Sequence, residues 1–232
     1  GGGGGAGVEG ARGRSWAGGG GVVGGREWRR GAGQASMVAP GSAGRGVPGV
    51  EIDRKRIITS DEAVGLKEGP HTLVSMGSGA VGVEFASIFN RFGSDVTIVE
   101  LLPRLVPVED EAVSVELEKS FRKQGITSHT GAKVTGAKAG ADGVDVEILL
   151  ADGTSKTIRT DYLLVATGRG PVTTGLNAEG VGLQIEKGYI KVDPLFRTSV
   201  PGISAVGDVI TFGAPGHPQL AHVSSAEGII TA

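Results

Sequence analysis

The chain has 232 residues, a formal net charge of -2 and no cysteine. A nearly neutral balance without a clustered basic surface argues against a nucleic-acid partner. The absence of cysteine excludes disulfides, thiolate metal sites and thiol nucleophiles, and it favours a cytoplasmic location. No apolar run in the sequence approaches a membrane span, so we expect no membrane segment and no signal peptide. We assign no metal-binding residue.

The first part of the chain is unusually rich in glycine. Residues 1–50 hold 20 of the 43 glycines and both tryptophans, but no Leu, Ile, Phe or Tyr. Because so little apolar surface is available to offset chain entropy, we predict that residues 1–36 form a disordered low-complexity region. Two alternatives stay open: the arginines here belong to an RGG-like nucleic-acid tail, or GC-rich DNA has been read in a wrong frame.

A strand, a glycine turn, a helix and a second strand follow one another from residue 72. An earlier helix start is predicted at residues 60–62. The apolar stretch 72–76 runs into G-x-G-x-x-G at residues 77–82. Apolar spacings of four, three and four predict a helix that ends at Gly93, with one face packed on a sheet. That face is Val81, Phe85, Ile88 and Phe92. Residues 96–99 predict a strand that ends at Glu100, about twenty residues beyond the glycines.

These residue types suit the binding of a dinucleotide. Gly77 permits a tight turn, Gly79 lets the backbone approach a pyrophosphate, and Gly82 allows close contact between helix and strand. The helix N-terminus offers unpaired N–H groups to the phosphates. Glu100 accepts hydrogen bonds from the adenosine-ribose hydroxyls and repels a 2′-phosphate, which predicts NAD rather than NADP. Arg104 would favour a phosphate, but we expect the carboxylate to dominate. The alternative is a glycine-rich turn beside a solvated Glu.

The remaining pattern completes an α/β fold. Acidic residues at 109–111 open a second helix, whose predicted buried face is Val113, Leu117 and Phe121. Residues 126–129 predict a third parallel strand. Turn signals at 142–143 and 152–153 separate alternating segments and predict an antiparallel β-meander. The apolar stretch 162–166 predicts a strand that returns to the sheet. We therefore expect a Rossmann-like dinucleotide-binding domain with a parallel sheet and a β-meander.

From residue 47 onward the sequence resembles the dihydrolipoamide dehydrogenases among the pyridine nucleotide-disulfide oxidoreductases. The matching stretches are GVEIDRKRIITSDEA, GSGAVGVEFASIFNRFGSDVTIVE, LPRLVPVEDE, LLVATGRGP, FRTSVPGISAVGDV and PQLAHVSSAEGI. After the low-complexity region 1–36, we expect three further regions: 37–66 as a remnant of a flavin domain and linker, 67–170 as the NAD-binding domain, and 171–232 as part of a central, FAD-side domain.

The resemblance also implies roles for individual residues. The implied NAD-binding residues are Gly77, Ser78, Gly79, Ala80, Val81, Gly82, Val83, Glu84, Glu100, Val134 and Gly168. Glu84 corresponds to an acid near the nicotinamide and flavin, although an ordinary solvated helix residue is the alternative. The implied flavin-side residues are Asp208, Gln219, Leu220, Ala221 and His222. No catalytic residue is assigned, and His217 is not the family's catalytic base because Gln219 and Leu220 follow the His-Pro pair.

The resemblance implies NAD and FAD as cofactors of the complete enzyme, which would oxidise dihydrolipoamide as a homodimer. Its protein partner would be the lipoyl-bearing acyltransferase of a 2-oxo-acid dehydrogenase complex. The family's flavin fingerprint and Cys-x4-Cys pair are not recognised in this chain, and Ala39-Pro40-Gly41-Ser42 stands where the family has Ala-Thr-Gly-Ser. We therefore expect an inactive fragment. The alternatives are part of a cysteine-independent flavin NADH reductase and a non-catalytic NAD-binding module.

Overall fold

The computed structural model describes residues 35–213 and 217–232, together with the backbone of Gly20–Val23. The chain divides into two compact units. We call Gly44–Arg169 the central unit, and the described residues up to Ala43 and from Gly170 to Ala232 the terminal unit. The predicted region 37–66 is therefore divided between the two units, at Ala43.

The elements are numbered in chain order. The strands are β1 Gly20–Val23, β2 Ala35–Val38, β3 Ser42–Gly44, β4 Ile57–Ile58, β5 Thr72–Met76, β6 Asp95–Val99, β7 Thr127–His129, β8 Lys133–Gly140, β9 Gly143–Leu149, β10 Ser155–Thr160, β11 Tyr162–Val165, β12 Arg169–Pro171, β13 Ile185–Glu186, β14 Tyr189–Lys191, β15 Ile203–Ala205 and β16 Ile210–Thr211. The helices are α1 Ser60–Ala63, α2 Ala80–Arg91, α3 Glu111–Lys123 and α4 Ala221–Thr231, with a 3-10 turn at Gly207–Val209.

The central unit is built on a parallel sheet of five strands in the order β4-β11-β5-β6-β7. Helix α2 connects β5 to β6, and α3 connects β6 to β7. Because all five strands run in one direction, β5, β6 and β7 end at the same edge of the sheet. The next three strands form an antiparallel meander in the order β10-β9-β8. The predicted fold class is confirmed.

Two hydrophobic clusters occupy the two faces of this sheet. Residues alternate between them along each strand, as the pleat requires. Leu73 and Leu164 pack with the helical residues Ala86 and Phe89 in one cluster. The other cluster holds alternate sheet residues and the inward residues of the meander: Val74, Met76, Leu163, Val165, Val144, Val146 and Ile148. The central unit therefore has three layers, with the sheet between the helices and the meander.

The predicted buried face of α2 was partly wrong. The buried residues are Gly82, Ala86 and Phe89, while Val81 and Phe85 are partly buried. Ile88 and Phe92 are 44% and 76% exposed. Small residues at positions 82 and 86 let the helix approach the sheet closely. The larger residues Ile88 and Phe92 therefore lie beside the contact and not in it. Apolar spacing alone did not identify the face because the contacting residues are partly small ones.

The predicted face of α3 was partly wrong for the same kind of reason. Phe121 is buried and Leu117 is partly buried, but Val113 is 53% exposed. Its neighbour Ser114 is fully buried instead, and its hydroxyl donates to the carbonyl of Val106 at 3.4 Å. A polar residue therefore holds the position that the pattern assigned to valine.

The terminal unit contains two three-stranded sheets and α4. Strands β1, β2 and β15 form a parallel sheet in the order β1-β2-β15, and β13, β14 and β16 form a second sheet. Its core includes Val38, Leu183 and Ile190. Gly20–Val23, Ala35 and Ser36 are thus in strands, within the region predicted to be disordered, because the backbones of β1 and β2 pair. The other residues before Ala35 lie outside the described residues, so their disorder stays a prediction.

Within the described residues, no helix combines the length and the apolar character that crossing a membrane requires.

Candidate dinucleotide-binding site

Two glycines of the turn between β5 and α2 are required by close backbone contacts. Gly77 has a φ of +103°, and a Cβ there would lie 2.5 Å from the carbonyl oxygen of Ala166 at the end of β11. A Cβ at Gly82 would overlap the carbonyl oxygen of Gly77. Only glycine leaves room at both positions. The turn is therefore packed tightly against the end of the sheet.

Gly79 has the opposite surroundings. It is the N-cap of α2 with an ordinary φ of -66°, and a Cβ there would meet nothing within 4 Å. No side chain caps this helix start. The first N–H groups of an α-helix have no partner within the helix and attract anions. Open space beside Gly79, at such a helix start, is the shape that a pyrophosphate needs.

Glu100 follows β6 and reaches back to this turn. Its Oε2 accepts hydrogen bonds from the Ser78 amide at 2.8 Å and the Ser78 hydroxyl at 2.7 Å. Its Oε1 accepts a bond from the Leu102 amide at 2.8 Å. Glu100 is only 7% exposed and Ser78 is fully buried. A carboxylate has about four acceptor positions, so one position remains on Oε1.

Arg104, which would favour a 2′-phosphate, has hydrogen-bond partners within its own loop. Its Nη2 donates to the carbonyls of Pro107 and Glu109, each at 3.1 Å. Its Nη1 lies 4.0 Å from the carboxylate of Glu111. The guanidinium is therefore partnered by the loop before α3 and by Glu111, whereas Glu100 contacts the glycine turn directly.

The other residues assigned to NAD have mixed surroundings. Ala80 and Glu84 are exposed, at the start of α2 and one turn later, and Val83 is partly buried. Gly168 is exposed, with a φ of +105°. Val134 is 4% exposed and packs in the core with the meander, so its side chain does not line an open surface.

His129 ends β7 beside Glu100, and its carbonyl accepts a hydrogen bond from the Glu100 amide at 2.9 Å. Burial lowers the pKa of the His129 imidazole, and the charge of Lys156 lowers it further. The side chain therefore favours its neutral form. Among the described residues, no group of three or more His, Asp or Glu side chains is placed to hold a metal ion.

The residues assigned to the flavin side lie in the terminal unit. Asp208 is in the 3-10 turn, its carboxylate accepts a bond from the Ser42 hydroxyl at 2.5 Å, and its carbonyl accepts one from the Gln219 amide group at 3.4 Å. Leu220, Ala221 and His222 are exposed at the start of α4. The structure thus brings Asp208 and Gln219 together.

Sequence reasoning missed two residues that hold this turn. Ser42 stands in the stretch compared with Ala-Thr-Gly-Ser, and that comparison was the available signal for it. Glu227 of α4 is 5% exposed, and its Oε2 accepts a bond from the Gly207 amide at 2.7 Å. Nε2 of His217 lies 3.1 Å from Oε1 of Glu227, without hydrogen-bond alignment. A single Glu near the end of a helix carries no pattern that predicts such a role.

A parallel sheet with a glycine turn and an acid at the end of the second strand defines a dinucleotide-binding α/β protein. Comparison with known sequences narrows the class. The pyridine nucleotide-disulphide oxidoreductase family matches residues 29–228, and the chain belongs to this family. Family members use FAD and NAD(P) in oxidation and reduction.

Individual relatives agree with this assignment. The chain is 45% identical, over 194 residues, to dihydrolipoyl dehydrogenase from Chlorobaculum tepidum. This match covers 84% of the chain and 40% of the relative. Among solved structures, LpdA from Mycobacterium tuberculosis has a TM-score of 0.74 at 32% identity, covering 84% of this chain and 41% of LpdA. The flavoprotein disulfide reductase RclA from Escherichia coli has a TM-score of 0.75 at 30% identity, covering 85% of this chain and 44% of RclA. The chain thus spans about two fifths of the length of these relatives.

Proposed function

We propose that the central unit binds NAD(H) and prefers it to NADP(H). The observation that carries this proposal is the contrast between Gly79, which leaves open space at the start of α2, and the closely packed Gly77 and Gly82. Of these three glycines only Gly79 has open space beside it, and it is the one at the helix start, where a phosphate group would bind. NAD, when bound, supplies the nicotinamide that accepts or donates a hydride. The residues of this chain bind and orient it.

Glu100 supports the choice of NAD. Its remaining acceptor position on Oε1 suits a ribose hydroxyl, and its negative charge opposes a 2′-phosphate at the same place. Arg104, which would attract that phosphate, donates instead to the carbonyls of Pro107 and Glu109. The electrostatic balance beside the turn therefore favours an unphosphorylated ribose.

For the complete protein we propose a dihydrolipoyl dehydrogenase-like flavoprotein, a cytoplasmic homodimer that serves a 2-oxo-acid dehydrogenase complex through its lipoyl-bearing acyltransferase. Residues 67–170 would supply the NAD domain, 171–232 part of the FAD-side domain, and 37–66 a remnant of the flavin domain with the linker. The family assignment and the relatives named dihydrolipoyl dehydrogenase support this proposal. Asp208, Gln219, Leu220, Ala221 and His222 would face the FAD.

Calorimetric titration of NADH and NADPH into the 232-residue chain tests the cofactor proposal. We expect tighter binding of NADH, and Glu100→Gln should weaken NADH binding on the order of tenfold, because a charged hydrogen bond contributes about 1.5 to 3 kcal/mol. NADPH binding should change less. Glu116→Gln, on the exposed face of α3, is the matched control and should change neither affinity. Equal affinities for both nucleotides in the unmodified chain would overturn the proposal.

We also expect this chain by itself to lack dihydrolipoamide:NAD oxidoreductase activity. It contains no cysteine, and thiol exchange with the substrate requires an enzyme thiol. The activity should be absent from homogeneous protein, with or without added FAD. Substrate-dependent NADH formation, followed by absorbance, would show that another mechanism operates.

A further inference from the structure

We propose that Ser78 is a positioning residue that sets the discrimination between NADH and NADPH by holding the Glu100 carboxylate in place. This inference rests on the proposed function of the central unit. Its starting point is that one residue supplies two of the three hydrogen bonds received by Glu100, and both go to the same oxygen, Oε2.

The arrangement fixes which oxygen is free. Oε2 receives the amide and the hydroxyl of Ser78, and both of its acceptor positions are filled. Oε1 receives only the Leu102 amide. The carboxylate therefore presents one acceptor position and a fixed negative charge. A ribose hydroxyl gains from that geometry, and a 2′-phosphate is opposed by it.

Burial decides what happens when the hydroxyl is removed. Ser78 is 0% exposed, so the acceptor position that it fills on Oε2 faces the protein interior and no ribose reaches it. Loss of the hydroxyl does not create a second site for the nucleotide. It leaves a buried carboxylate oxygen with one donor fewer, and such an oxygen gains by turning towards water. The charge is then no longer held beside the ribose.

The same pairing occurs once more in the central unit. Oε2 of Glu62 accepts bonds from the amide of Thr59 at 3.0 Å and from its hydroxyl at 2.7 Å. There the pair caps the short helix α1. At Glu100 it has no helix to cap, because α2 begins with Gly79, which carries no side chain. The two hydrogen bonds from Ser78 therefore fix the position of the Glu100 carboxylate.

The test compares the ratio of the NADPH and NADH dissociation constants in the full chain and in two variants, Ser78→Ala and Ser78→Cys. We expect the ratio to fall at least about threefold in both, because an alanine donates no hydrogen bond and a thiol is a weak donor. Cysteine keeps the branching of serine with a larger γ atom, so it leaves no cavity and serves where the alanine variant folds poorly. A general loosening of the turn would weaken the binding of NADH and of NADPH equally, and the ratio of the two dissociation constants would not change.

Ser94→Ala is the matched control. Ser94 is also buried, at 4% exposure, and its hydroxyl donates to the Pro70 carbonyl before β5 and β6 begin, at the opposite edge of the sheet. It should lower stability without changing the ratio. A ratio that keeps its wild-type value in both Ser78 variants would overturn this inference and leave the proposed function standing. A wild-type chain without preference would overturn the proposed function itself.

Discussion

Each unit holds a glycine turn with one buried glutamate, but the two glutamates are partnered differently. In the central unit Glu100 accepts three hydrogen bonds, from the amide and hydroxyl of Ser78 in the turn and from the Leu102 amide. In the terminal unit Glu227 holds the turn at Gly207 with one amide, and its other oxygen faces His217. All three donors to Glu100 are therefore neutral groups. The contacts of Glu227 include a histidine, which carries charge only when protonated.

This difference explains why one turn can be predicted from the sequence and the other cannot. The turn in the central unit is defined by glycines whose spacing follows from backbone contacts, so its motif is visible. The turn in the terminal unit depends on Glu227, twenty residues away from Gly207 along the chain. The role of the Glu227 side chain follows from its contact with the turn in the folded chain, and no spacing between neighbouring residues indicates it.

The largest expected effect in this comparison comes from Gly82→Ala in the central unit. The added methyl would overlap the carbonyl oxygen of Gly77, and neither backbone can move without shifting α2 from the sheet. We expect a loss of stability of about 3 kcal/mol or more, at the upper end for overpacked sites. Thermal unfolding followed by circular dichroism measures it.

Gly79→Ala is the control for this change, because its methyl would meet nothing within 4 Å. It should unfold at nearly the wild-type temperature and bind NADH more weakly, since the methyl occupies the proposed phosphate space. If Gly79→Ala were as unstable as Gly82→Ala, the contrast between open and packed glycines would be wrong.

A smaller effect is expected from Glu227→Ala in the terminal unit. The change leaves the Gly207 amide without its buried acceptor, which costs about 1 to 3 kcal/mol. Hydrogen exchange of the Gly207 amide should become faster. Glu186→Ala removes a carboxylate that is 40% exposed and paired with Lys191, and it should cost less than about 1 kcal/mol. Unchanged exchange at Gly207 in the Glu227 variant would show that Glu227 does not secure the turn.

The smallest effect concerns Glu62, the partly exposed counterpart of Glu100. The hydroxyl of Thr59 lowers the pKa of the Glu62 carboxyl below its ordinary value of 4.5, and the Thr59 amide adds to this. Because the pKa is lower in the folded state, this carboxylate stabilises the fold above about pH 4.5, and that contribution is lost as the pH falls through the lowered pKa. Thr59→Ala should raise the pKa towards 4.5 in an NMR titration of the side chain. An unchanged titration would show that the capping box does not form.

Much of the fold was predictable from local pattern. The strands at 72–76 and 96–99, the glycine turn and the meander were all confirmed because each repeats a simple period or ends at a turn residue. The helix faces were less predictable. Gly82 and Ala86 contact the sheet in place of larger residues, and Ser114 takes the position expected for Val113.

The sequence pattern placed Gly77, Gly79, Gly82 and Glu100 at one turn, and the structure brings them together there, but their internal bonds were not predictable. Glu100 follows from its place at the end of a strand. That Ser78 would turn its hydroxyl towards Glu100 does not follow from the motif, because a side chain at that position has several directions open to it. The bonds of Ser42 and Glu227 to the turn at Gly207–Val209 join residues far apart in sequence, and no local pattern encodes them.

The position of β11 has a consequence for the order in which the central unit folds. This strand lies between β4 and β5, although it is separated from β5 by about ninety residues and is made last on the ribosome. Until it arrives, β5 has an unpaired edge, and Gly77 lacks the carbonyl of Ala166 against which its turn packs. We therefore expect the glycine turn to reach its final geometry only when synthesis has passed residue 166. A nascent chain released earlier would expose the edge of β5 to pairing with other chains.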